Sequence, residues 1–144
     1  MLNRIRKQDT ERITSFDTVL LRQSGMRGTT EHEMVMKDGK AEVSLYRIRY
    51  AGGGDQRVLE EQSVCSLEDV LKLLNDCNLL SWDGFKGPHP KHVKDGIMFT
   101  LDAAVNDNRA IHAEGSENFP KHYRKFTDGL YAILFQAKNE SSSD

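Results

Sequence analysis

Residues 30–50 read TEHEMVMKDGKAEVSLYRIRY, two alternating runs joined by Asp38 and Gly39. Met34 and Met36 share one side of the first run, as alternate residues of a strand do. An Asp-Gly pair between two such runs is the strongest short-range signal of a β-hairpin. This part of the chain therefore predicts an antiparallel sheet.

The second run of this hairpin places apolar residues on both of its faces. Val43 and Leu45 share one face, whereas Tyr46, Ile48 and Tyr50 share the other. Either a β-bulge or a strand that is partly covered on both faces gives this pattern. If helices cover only the first face, the second set offers apolar surface, so the pattern predicts either a protein partner or a homo-oligomer on this face.

Four further runs alternate as strands do, and they flank the central hairpin on both sides. They are residues 13–23, 57–64, 96–105 and 109–115. In the third of these runs the residues expected to face the core are Ile97, Phe99, Leu101, Ala103 and Val105. Together with the hairpin, the runs predict an antiparallel sheet of about six strands.

Two segments with apolar residues at helical spacing predict helices. The first follows Ser66, which forms a capping box with Asp69, and the second is capped by Asn118 with Pro120 in its first turn. The order β-β-β-β-α-β-β-α predicts an α+β domain with both helices packed on one face of the sheet.

Composition limits the partners that such a domain can have. The chain has 144 residues, a net charge of -2 and a mean hydropathy of -0.61. This length predicts one domain over residues 13–137, between a flexible basic extension at 1–12 and a polar tail at 138–144. A net charge near zero provides no global field for nucleic acid or anionic membranes, so an anionic partner would bind a local patch.

The sequence predicts a cytoplasmic protein without membrane contact. No apolar run approaches the ~20 residues of a membrane span, and no secretory leader follows the first residues. Cys65 and Cys77 are too few for a disulfide framework or a four-thiolate zinc site. We therefore expect no cofactor and no resident metal.

A long loop at residues 81–96 contains the densest group of candidate binding residues. Loops of this length inside a compact domain are often functional. The alternative is that Trp82 and Phe85 close the end of the core and that the lysines are solvated. With the start of the last helix, this loop predicts a basic-aromatic binding surface of Trp82, Phe85, Lys86, His89, Lys91, His92, Lys94, Tyr123, Arg124 and Lys125.

No recognisable catalytic or metal-binding pattern occurs in the sequence. His89 and His92 lack the spacing of a helical zinc pair and an acidic or thiol partner at a diagnostic distance. His112 and Glu114 share one face of a strand, and they could act as a base and its orienting carboxylate only beside a cleft. We therefore predict no catalytic residue and no metal ligand, which argues against an enzyme.

WDGF at residues 82–85 and GSENFP at residues 115–120 bracket an expected β-hairpin, and an expected helix follows the second motif. This arrangement resembles an uncharacterised family of small bacterial proteins found largely in gut Firmicutes. The resemblance covers about residues 66–137. It implies that the two motifs pack together at one end of the sheet and set the entry of the last helix, and it implies no activity.

These features favour a non-enzymatic binding module that acts through protein contacts. One version is an inhibitor of a host defence nuclease, similar to anti-CRISPR proteins, which are often small and poor in motifs. The first alternative is a nucleic-acid-binding protein that uses the basic-aromatic loop. The second is a small-ligand or metal-dependent enzyme that uses His112, Glu114 and the loop histidines.

Overall fold

The computed structural model describes residues 11–136, which form one seven-stranded sheet and two α-helices. Residues 1–10 and 137–144, with most of the expected extension and the whole expected tail, lie outside the described residues. The strands are β1 (Phe16–Gly25), β2 (Gly28–Lys37), β3 (Lys40–Ala51), β4 (Gly54–Ser66), β5 (Lys86–Gly87), β6 (Met98–Val105) and β7 (Arg109–Ser116). The helices are α1 (Leu67–Asp76) and α2 (Tyr123–Tyr131), with a 3-10 turn at Leu79–Trp82 and a π-helical turn at Ala132–Gln136.

The sheet order is β4-β3-β2-β1-β6-β7-β5. Every neighbouring pair is antiparallel except β5 and β7, which are parallel. The α+β class and the two helices are confirmed. The expectation of about six antiparallel strands was incomplete, because the sheet is mixed and has a seventh strand. A two-residue strand has no alternation to detect, so β5 is visible only through its pairing with β7.

The central hairpin forms at the expected residues. Asp38 and Gly39 have φ angles of 53° and 77°, the left-handed region that the two residues of a tight hairpin turn require. In the resulting register Met34 lies opposite Val43, and both side chains are buried in the core. The turn residues therefore set which face of each strand is apolar.

The bulge that the second run suggested lies in the neighbouring strand, β4. Pairing steps from Leu45 opposite Glu61 to Tyr46 opposite Leu59, which leaves Glu60 without an opposite residue. Strand β3 keeps a regular register with β2, and it has buried side chains on both faces, Val43 on one and Ile48 on the other. Both alternatives contribute to the pattern, because the bulge and the double coverage occur at the same place.

One face of the sheet, the covered face, packs against both helices. Its strands contribute alternate residues, and each helix contributes the stripe that faces the sheet. The core residues include Val19, Leu21, Met34, Val43, Phe99, Leu101 and Ile111 from the strands, Val70 and Leu74 from α1, and Phe126 and Leu130 from α2. None of the described helices is long and apolar enough to span a membrane.

The two helices begin in different ways. Ser66 caps α1 as expected, since its Oγ accepts a hydrogen bond from the backbone N–H of Asp69 at 3.1 Å. Helix α2 begins at Tyr123, not after Asn118, and it has no side-chain cap. The Asn118 amide instead donates to the carbonyl oxygen of Pro88 at 3.3 Å, so a contact with another segment has replaced the expected local cap.

On the opposite face, the uncovered face, two of the three apolar residues expected there are at least partly shielded from solvent. Ile48 is only 6% exposed, and the Arg57 guanidinium lies 3.8 Å from the centre of the Tyr46 ring. Tyr50 is exposed. The expected apolar patch of three residues is therefore reduced to one, because charged side chains of neighbouring strands occupy the same face.

A buried carboxylate organises these charges. Glu31 accepts a hydrogen bond from Arg22 at 2.9 Å through one carboxylate oxygen, and its other oxygen forms a salt bridge with Arg57 at 2.8 Å. Arg57 also lies 3.4 Å from Glu33. Pairing on both oxygens compensates for the removal of a carboxylate from water. This network makes the middle of the uncovered face polar.

The burial of His32 predicts that the free energy of unfolding depends on pH. It lies between Leu21 and Leu45 in the register, and its buried Nδ1 has no hydrogen-bond partner among the described residues. Burial lowers the pKa of His32 below 6.5. The unfolded chain therefore binds the proton more readily, and the stability that neutral His32 provides is lost as the pH falls through 6.5.

When the pH is lowered from about 7 to about 5, we expect the free energy of unfolding to fall less for the His32→Leu variant than for the wild type. Urea denaturation at both values measures the difference, with the exposed His92→Leu as the control. Equal losses in His32→Leu and the wild type would show that His32 has no part in the pH dependence.

Candidate binding groove

The tryptophan of the WDGF motif closes the end of the core. Trp82 is 1% exposed, its indole Nε1 donates to the backbone oxygen of Lys121 at 3.1 Å, and its ring meets Phe126 edge to face. Phe85 is half-buried against Phe99. Trp82 therefore offers no ring face to a ligand, which agrees with the core-closing alternative.

The WDGF and GSENFP motifs lie side by side. The backbone N–H of Glu114 donates to the Phe85 oxygen at 3.0 Å, which continues the parallel pairing of β5 with β7. Beyond β5 in the chain, His89 Nδ1 lies 2.7 Å from Ser116 Oγ, and the other ring nitrogen of His89 is hydrogen-bonded to the carbonyl oxygen of Val93. Together with the hydrogen bond from Trp82 to the Lys121 backbone oxygen, these contacts set the path of the chain into α2, as the resemblance implies.

The expected basic-aromatic surface is divided between two faces. Lys86 lies opposite Glu114 on the uncovered face, whereas Arg124 and Lys125 belong to α2 on the covered face. A hydrogen bond from Lys72 lowers the pKa of Asp76, and the charge of Lys125 has a smaller effect in the same direction. The remaining basic residues of the loop, Lys91, His92 and Lys94, are exposed.

Tyr123 is directed toward the protein interior. Its hydroxyl accepts a hydrogen bond from the side-chain amide of Gln23 at 2.7 Å, and its ring stacks on Phe119. Burial raises the pKa of Tyr123 to about 12. Tyr123 thus supports the packing of α2 rather than a stacking surface.

A groove runs around the end of the sheet, between the β1–β2 turn and the loop before β6. It consists of three adjoining hollows with volumes of about 710, 670 and 570 Å³, all of which include Ser24. We call it the end groove. Its walls are residues 22–30, 86–89, 94–100 and 114–117, together with Arg47.

Three exposed apolar side chains line the end groove. Met26 is 85% exposed at the β1–β2 turn, Met98 is 58% exposed at the start of β6, and Ile97 beside it is 45% exposed. Ile97 was expected to face the core, but it precedes the first residue of β6 and falls outside the alternation. Exposed apolar residues gathered at a concave surface are typical of interaction sites.

The charged residues of the end groove are mostly basic. Within residues 11–136, Arg27, Lys86 and Lys94 make no salt bridge, whereas Arg22 and Arg47 are held by glutamates outside the groove. The Glu117 carboxylate accepts a hydrogen bond from the backbone of Ile97. The basic lining residues are Arg22, Arg27, Arg47, Lys86 and Lys94, and the acidic ones are Asp95, Glu114 and Glu117.

His112 lies near the groove between two carboxylates. Its Nδ1 is 2.6 Å from Asp102 and its Nε2 is 3.6 Å from Glu114, and the hydrogen bond to Asp102 is the main cause of a raised pKa at His112. A general base must be neutral and must aim a free nitrogen at the substrate. Both nitrogens of His112 instead face carboxylates, and His112 does not line the groove.

In the part of the chain that the structure describes, no group of three or more His, Cys, Asp or Glu side chains is placed to hold a metal ion. The two loop histidines also do not act together, because both ring nitrogens of His89 are bonded to other groups and His92 is exposed.

The sequence did contain a signal for this groove. Met98 falls at an outward position of its strand, and Met26 lies in a turn between two glycines, where an apolar residue gains nothing from the core. Only the structure shows that the two are neighbours along one groove.

Comparison with known protein families and with curated proteins finds no match to this chain.

Proposed function

We propose that this protein is a non-enzymatic binding module that holds an extended segment of a partner protein in the end groove. The observation that carries the proposal is the exposure of Met26, Ile97 and Met98 along three adjoining hollows. Methionine is flexible and polarisable, which suits it to contact with varied apolar side chains. An inhibitor of a host defence nuclease would be one such module.

The shape and lining of the groove support a peptide over the alternatives. Three adjoining hollows that turn around the sheet end suit an extended chain better than one compact ligand. Single-stranded nucleic acid binds on exposed aromatic rings. Here Trp82 is buried and Tyr123 is bonded to Gln23, so the groove lacks such a platform.

A displayed library of random peptides of about 12 residues tests this proposal. We expect the selected peptides to lose about tenfold or more in affinity for the double variant Met26→Ser, Met98→Ser, because each methionine contributes apolar contact area. The control is Val64→Ser on β4, since Val64 is 58% exposed, as Met98 is. Circular dichroism checks that each variant is folded.

Two results would reject a peptide-binding groove. The first is a selection that yields no binding peptide. The second is a set of peptides that bind the double variant and the wild type equally well, which would place the binding surface elsewhere.

A further inference from the structure

The distribution of charge along the end groove indicates the chemistry of its occupant. Lys86 lines the first hollow, Arg27 the second and Lys94 the third. None of the three is in a salt bridge within residues 11–136. Each hollow therefore has one basic group free to meet a ligand, and the three are spread along the groove.

Two of the three acidic side chains of the groove are held by contacts within the protein. Glu117 is occupied by the backbone N–H of Ile97 at 2.6 Å, and Glu114 lies beside His112. Among the described residues, Asp95 is the one acidic group of the lining for which no hydrogen bond or ion pair occurs. Three basic side chains of the lining are thus free to turn toward a ligand, against one acidic side chain.

We infer that the bound segment is acidic, with apolar side chains between its carboxylates. This inference rests on the proposed function and adds the partner's chemistry to it. Met98 lines the first and third hollows and Met26 the second and third, so apolar contacts lie between the basic groups. The matching ligand is a chain in which carboxylates flank one or two leucines or methionines.

The basic groups set specificity more than affinity. An ion pair in contact with solvent contributes little to affinity and weakens in salt. Complementary charge raises the rate of association and disfavours the wrong partners. The preference for an acidic segment should therefore be strongest at low ionic strength.

Three labelled synthetic peptides test the inference by fluorescence anisotropy. They share one central Leu-Met pair and carry Glu, Gln or Lys at the flanking positions. At about 50 mM salt we expect the Glu peptide to bind at least about tenfold more tightly than the Gln peptide, and this ratio should shrink at about 500 mM. The Lys peptide should bind most weakly.

The triple variant Arg27→Gln, Lys86→Gln, Lys94→Gln should abolish the preference for the Glu peptide over the Gln peptide. A matched control removes the same charge from the start of α2, with Lys121→Gln, Arg124→Gln and Lys125→Gln. This control should retain the preference, because those side chains lie outside the end groove.

The outcomes distinguish the inference from the proposed function. If library-selected peptides need Met26 and Met98 but the Glu and Gln peptides bind equally, the groove is a peptide site and the acidic inference is overturned. If neither selected nor synthetic peptides bind, the proposed function fails as well. A single-stranded oligonucleotide that binds more tightly than the Glu peptide, and is lost in the groove triple variant, would overturn both in favour of nucleic acid.

Discussion

Trp82→Ala is expected to lower the free energy of unfolding by about 3–5 kcal/mol. The side chain is 1% exposed and is the largest of the fully buried residues. Its removal leaves a cavity beside Phe126 and frees the Lys121 carbonyl that the indole held at 3.1 Å. Urea denaturation followed by circular dichroism measures the loss.

Two companion variants separate packing from the hydrogen bond. Trp82→Phe keeps much of the volume and loses the N–H donor, so it should cost less, about 1–2 kcal/mol. Tyr131→Ala removes an aromatic residue that is 64% exposed and should change stability by about 0.5 kcal/mol or less. A Trp82→Ala protein as stable as the wild type would show that this ring does not close the core.

Gly115→Ala is expected to cost about 2–3 kcal/mol. A Cβ atom at Gly115 would lie 2.2 Å from the backbone oxygen of Asn118 and 2.7 Å from the Phe99 ring. The first of these atoms belongs to the main chain, which cannot turn aside as a flexible side chain can. The turn between β7 and α2 must therefore move, and denaturation in urea measures the cost.

Gly25→Ala is the matched control for this substitution. Its Cβ would meet Ile97 at 3.6 Å, an ordinary contact, so we expect little change in stability. Gly115→Ala should also weaken binding of the selected peptides, because Asn118 is bonded to Pro88 in the groove wall. Equal stability of the two variants would mean that the Asn118 turn is free to shift.

Features with a local physical cause could be predicted from the sequence. The Asp38-Gly39 turn depends on two residues that tolerate positive φ angles. The start of α1 depends on the Ser66 hydroxyl, which accepts a hydrogen bond from the backbone N–H three residues later. The alternation of apolar residues is likewise local, and it correctly indicated an α+β fold. In each case the interacting atoms are only a few residues apart.

The candidate site could be predicted only in part. Lys86, His89 and Lys94 of the long loop do line the end groove, but Trp82 belongs to the core, and Arg124 and Lys125 lie on α2, away from it. A count of aromatic and basic residues cannot distinguish the two faces of a sheet. That distinction depends on strand register, which a loop without alternation does not reveal.

The amino-acid sequence by itself determined the hairpins, the first helix and the class of fold, because short-range sterics and hydrogen bonds specify them. Tertiary structure decided where α2 begins, how β5 pairs and where the apolar and basic residues of the end groove meet. Met26 and Met98 are far apart along the chain and become neighbours only when β6 pairs with β1. Long-range pairing creates that surface, and no local pattern of residues contains it.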